Sequence, residues 1–136
     1  MRKSPKEIEI ENEILAVLSG NPALAASLVF NDQEAQALQN YANVVSIKRL
    51  GYNDHGPVHM RKTAQNALIM FDILHEEGIK FSIEDENIGT AEDSKIAVLI
   101  SSLLHDVGMS VGRENHELLG VVFAMPIIER TLTEIY

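Results

Sequence analysis

Apolar residues recur along most of the chain at three- and four-residue intervals, the period of helices with one buried face. Ile8, Ile14, Leu15 and Leu18 fall near that spacing. Ahead of them Ser4-Pro5-Lys6-Glu7 has the make-up of a helix start, with Ser as cap, Pro in the first turn and Glu three residues on. Ser19-Gly20-Asn21-Pro22 is read as the stop of this helix. A short second helix is expected over 23–30. A third opens at Asn31-Asp32 and runs through Ala35, Leu38, Tyr41, Ala42, Val45 and Ile47 to about Leu50. The β-branched stretch 44–47 suits a strand locally, but the surrounding period favours helix, and propensity is the weaker signal.

Gly51-Tyr52-Asn53-Asp54 marks a turn. A long helix follows from His55 or Pro57 to Glu77, with Ala64, Ala67, Leu68, Phe71 and Leu74 on one side and Gly78 closing it. Glu84, Asp85, Glu86, Glu92 and Asp93, with no basic residue among them, read as a solvated acidic loop. The run from Asp93 to Leu104 is apolar nearly all round, which predicts a buried central helix. A last helix or helix pair covers 115–136, bent near Pro126. The sum is an all-α bundle of about five to seven helices in one domain.

Composition narrows the chemistry. The 136 residues are 46% apolar and 23% charged, which is globular, and aromatics are only 5%, so aliphatic side chains must build the core. There is no cysteine, which excludes disulfides, thiolate zinc sites and cysteine nucleophiles. Twenty acidic against eleven basic residues give a formal charge of −9, which argues against general nucleic-acid binding or an anionic membrane as partner. The longest apolar runs are about half of the ~20 residues a membrane span needs. No secretory signal is read at the start, where Glu7-Ile8-Glu9-Ile10-Glu11 replaces an apolar core, so a cytoplasmic location is expected.

The reactive groups are histidines and one aspartate. His105-Asp106 directly follows the most apolar segment, and a carboxylate there is costly to bury unless paired or bound to a metal. Successive helical residues point about 100° apart, so both can meet one cation at a helix end. His59 opens the long helix. His55 lies four residues before it, on the same face if both are helical, but Gly56 stands where a zinc protease needs Glu. His116 follows a turn containing Gly108 and Gly112 that can fold back to the same cleft. His75, near a helix C-terminus, reads as a solvated residue favoured by the dipole. Arg61 and Lys62 are read as facing solvent, and Arg113 as the better phosphate-binding residue.

His59-Met60-Arg61-Lys62-Thr63-Ala64, followed after an apolar helix by Leu103-Leu104-His105-Asp106-Val107-Gly108, resembles the HD-domain metal-dependent phosphohydrolases. The resemblance covers about residues 53–125 and leaves 1–50, the N-terminal helices, without a family signal. It implies an HD-type bundle in which His59, His105 and Asp106 bind a divalent metal (Mn, Fe, Zn, Ni, Co or Mg). His55 and His116 are candidates for a second ion or an outer role, and Asp106, His116 and Arg113 are the catalytic candidates. The implied activity is hydrolysis of a small phosphorylated substrate, a nucleotide or nucleotide-like ester. Two departures stand against a full match. No Asp follows Asp106, so the family's closing ligand is absent and only Glu114, Glu117, Glu129 and Glu134 remain. Met109-Ser110 after Gly108 lacks the signature of the cyclic di-GMP subgroup. The chain thus reads as an HD domain that stops before its fourth ligand. The alternative is a catalytically incomplete fold that binds a metal or nucleotide or forms a homo-oligomer. A third reading is a helical interaction module with incidental histidines.

Overall fold

A computed structural model describes residues 2–136, and the described residues form an all-helical bundle without strands. The first helix, α1, spans Pro5–Val17. Its start is the predicted capping box: Ser4 Oγ accepts from the Glu7 amide at 3.2 Å and Glu7 Oε2 accepts from the Ser4 amide at 2.7 Å. α2 spans Gly20–Asn31, three residues longer at its start than expected. Gly20 takes a positive φ of 60° and Pro22 sits in the first turn, where no intrahelical donor is missed, so the apparent stop signal is also a start. α3 spans Gln33–Val44, capped by Asp32, and a π-helical turn over Val45–Arg49 completes it. The helical period, not the β-branching, decides that stretch.

α4 spans Pro57–Glu76, and a single short turn of helix, α5, spans Ser82–Asp85. The acidic segment is therefore not all solvated loop. Asp93 accepts from the Thr90 amide and hydroxyl as the box that starts α6, Ala91–Leu104. It also receives a hydrogen bond from the Tyr136 hydroxyl. After a 3₁₀ turn at Val107–Ser110, α7 runs unbroken from His116–Ile135 through Pro126. Pro126 is exposed, so the carbonyl it leaves free one turn back, on exposed Val122, meets solvent.

α6 is central, as expected. Ile96, Leu99, Ile100, Leu103 and Leu104 are all buried, and the helix packs most extensively on α4 and then on α2. α7 packs on the 3₁₀ turn and on α2, and touches α6 only sparingly. α6 and α7 therefore diverge, leaving a pocket between them. No helix among the described residues is long and apolar enough to cross a membrane.

Candidate metal centre

Three segments converge at the end of α6. Residues 53–56 lead into α4 as a tight turn in which the Gly56 amide donates to Asp54 Oδ1 at 2.7 Å. That start puts His59 in the first turn of α4. The chain leaves α6 at His105, so the His105 and Asp106 side chains sit at the negative end of the α6 dipole, which favours a cation. The 3₁₀ turn then brings α7 back over the pair. The return depends on Gly108: a Cβ there would lie 1.8 Å from the His116 carbonyl oxygen, so only glycine lets the two backbones approach this closely.

Asp106 is the hub. Its Oδ2 lies 3.0 Å from Nε2 of both His59 and His105, and these two nitrogens are 3.3 Å apart. Its other oxygen, Oδ1, faces His116 Nε2 at 3.6 Å. The Asp106 side chain is 8% exposed, and the imidazoles roof it from three sides. The Nδ1 atoms of His105 and His116 hydrogen-bond the carbonyls of Ser102 and Arg113 at 2.7 and 2.8 Å. A carbonyl only accepts, so each Nδ1 carries the proton, and Nε2 is left as the ligating or proton-accepting atom. Burial pushes the Asp106 carboxyl up, but the hydrogen bond and charge of His105, with His59 and His55, together hold it below the ordinary carboxylate value. The same hydrogen bond to Asp106 holds His105 above the ordinary imidazole value, against its own burial.

The donor set fits a metal. His59, His105 and Asp106 form a group that could hold one ion. Atoms bonded about 2.0–2.2 Å from a common centre lie about 3.0–3.5 Å from one another, and the observed edges are 3.0, 3.0 and 3.3 Å. Two imidazoles and one carboxylate suit Mn, Fe, Co, Ni or Zn better than Mg. Three protein donors would leave coordination positions for water or substrate, the ligand count of hydrolytic zinc sites and of non-haem iron sites.

The remaining candidates divide. His55 precedes α4, so it does not share a helix face with His59. Its Nδ1 meets the Asn53 carbonyl at 2.6 Å, and the turn still places its ring 5.6 Å from that of His59, tilted by 48°. Arg113 is exposed, its guanidinium 5.2 Å from the Tyr52 ring, and the part of it that serves the site is the carbonyl that orients His116. His75 stacks on Phe71, away from the centre. Arg61 corrects the expectation of a solvent-facing side chain, because it is 1% exposed. Its Nε and Nη2 reach Glu11 Oε1 of α1 at 2.8 and 2.7 Å, and its Nη1 donates to Gln39 Oε1 of α3 at 2.9 Å. Gln39 Nε2 in turn donates to the Leu103 carbonyl at 2.8 Å. This buried relay joins a residue two positions after His59 to one two positions before His105, so it fixes the spacing of the ligand-bearing segments. Sequence reasoning missed it, although a signal was present: stepping back three residues from Ala64 along the buried stripe Ala64, Leu68, Phe71 lands on Arg61.

Over 128 residues the chain is 34% identical to an uncharacterized protein of Methanocaldococcus jannaschii. The match takes in 94% of this chain and 49% of that protein, so the chain spans about half the length of the curated relative it matches. No family model matches the chain, and no solved structure matches it.

Proposed function

We propose that the protein is a metal-dependent phosphohydrolase of the HD type, acting on a small phosphate ester. The observation that carries this reading is the convergence of His59, His105 and Asp106 Oδ2 at 3.0–3.3 Å, beside a pocket that His116 also faces. A divalent ion held there supplies a Lewis acid for a phosphoryl oxygen and acidifies water. The protein's own groups do the rest. Asp106 supplies the negative charge that retains the cation. Ser102 and Arg113 fix the tautomers through their carbonyls. His116 turns its Nε2 toward Asp106 at the pocket and is the group placed to move a proton.

Metal analysis of the purified protein is the first test, followed by assays on bis-p-nitrophenyl phosphate and nucleotides with Mn, Fe, Co, Ni and Zn added. Metal-dependent cleavage that vanishes in His105→Ala and Asp106→Ala supports the reading. A protein that loads metal and cleaves no ester is instead a binding module built on an incomplete HD fold. One observation favours that second reading: no lysine or arginine lines the pocket to steady a phosphate.

A further inference from the structure

The pocket between α6 and α7 has a volume of about 450 Å³, within the range of small-molecule sites, and its two ends differ in chemistry. His105, Asp106 and His116 form one end. Away from them the wall is Leu104 from α6 and Val121, Ala124, Met125 and Ile128 from α7. The only other polar side chains on the lining are Ser101 and Glu117. The Glu117 carboxylate is exposed and stands beside His116, its Oε2 3.4 Å from Nδ1.

We propose that this pocket takes the apolar substituent of a phosphate ester that has a single phosphoryl group, and that it discriminates against di- and triphosphates. Charge complementarity supports this assignment. A divalent ion with Asp106 leaves one net positive charge, which a single phosphoryl group of about −1.5 to −2 near pH 7 already exceeds. No cation on the lining offers a place for a second, and Glu117 repels one. The apolar wall is continuous with the ligand residues, so a group bound to phosphorus at the metal end has its substituent beside Val121 and Met125. Removing those exposed side chains from water supplies binding energy that a base-reading pocket would draw from hydrogen bonds. The inference rests on the phosphohydrolase reading, and narrows it from nucleotides in general to esters with an apolar group.

The test is calorimetric titration of the Mn(II)-loaded full chain with n-alkylphosphonates from methyl to octyl, which bind without being cleaved. Affinity is expected to rise about two- to fourfold per methylene until the pocket is full. A second phosphonate at the far end of a hexyl chain should cancel the gain. In the diamagnetic Zn(II)-loaded protein the methyl resonance of Met125 should shift with hexylphosphonate and not with methylphosphonate. Val121→Asn and Met125→Gln, neutral changes at exposed positions, should flatten the series, so that octyl- and methylphosphonate bind nearly alike. A flat series on the wild-type protein overturns the pocket assignment and leaves the metal centre standing. A self-association that blocks the series and is relieved by Val121→Asn also overturns it, since another polypeptide then covers the pocket. Failure to hold any metal removes the phosphohydrolase reading, and this assignment with it.

Discussion

The Nε2 atoms of His59 and His105 stand 3.3 Å apart although 46 residues separate them in the chain. His105 commits its Nδ1 proton to the Ser102 carbonyl, so its Nε2 can face His59 and the Asp106 carboxylate only with a second proton or a metal ion between them. Without metal, His105 is held above its ordinary value of 6.5 and Asp106 below its ordinary 3.8. A raised histidine stabilises the fold below its unfolded value, and loses that contribution as pH rises through the folded one. A lowered carboxylate contributes above its unfolded value and loses that as pH falls through the folded one. The metal-free protein should therefore resist urea better at about pH 6 than at about pH 9 from this pair. The metal-loaded protein should show the reverse trend, because binding displaces the proton. Identical pH profiles with and without metal would contradict the shared site.

His59→Ala, His105→Ala and Asp106→Asn should each lower metal affinity by more than about tenfold, measured by competition with a coloured chelator. His116→Ala should change the affinity of the first ion far less, and lower turnover instead. Equal losses for all four would place His116 in the same coordination set.

Removing Arg61 leaves Glu11 paired with Lys3 at 2.9 Å but without the guanidinium on its other oxygen, a cavity where the side chain was, and Gln39 half-bonded in the interior. Arg61→Ala is expected to cost about 3–5 kcal/mol in chemical denaturation. Gln39→Leu should cost about 1–3 kcal/mol, because the Leu103 carbonyl and an Arg61 donor lose their partner. It should also weaken metal binding without touching a ligand. Unchanged metal affinity in a folded Gln39→Leu protein would show that the relay does not set the ligand spacing.

Gly108→Ala should lower stability by about 3 kcal/mol or more, since the added methyl has no room against the His116 carbonyl. Gly112 has nothing within 4 Å of an added Cβ, so Gly112→Ala should stay within about 0.5 kcal/mol. Thermal melts of the two variants make the comparison.

Asp32 both caps α3, accepting from the Ala35 amide at 2.8 Å, and pairs with Arg130 of α7 at 2.5 and 2.8 Å. Burial pushes its carboxyl up, but Arg130 and the cap bonds outweigh this and hold it below 3.8. Asp32→Ala should cost about 1 kcal/mol for the cap alone. The wild-type advantage, read as the difference between the two unfolding curves, should shrink as pH falls below 3.8.

Much of this was legible in the chain. The helical period located α1, α3, α4, α6 and α7, because each carries a stripe long enough to be read against a single face. His105 and Asp106 were legible because a carboxylate directly after a mostly apolar run has few inexpensive explanations, and His59 because of its place at the start of the long helix and the family resemblance. Two things were hidden. α2 begins inside what reads as a stop, since Gly-Asn-Pro serves either role. Arg61 is buried because two other helices supply its partners, and helix periodicity carries no information about those. The return of His116 to the same cleft was legible from the turn containing Gly108 and Gly112, although hydropathy does not tell that glycine is required at 108 and not at 112.

The buried relay has a consequence for how the protein is made. Its bonds link residues 22, 50 and 64 positions apart, and long-range contacts of this kind form late because their loop-closure cost comes first. Glu11 and Gln39 lie in helices that carry none of the three metal-binding candidates, yet they add to the direct packing of α6 on α4 a tie that closes only once those helices have docked. The final spacing of His59 and His105 would thus be set only after α1, α3, α4 and α6 have all emerged and packed. Metal capture would then mark the completion of folding rather than its beginning.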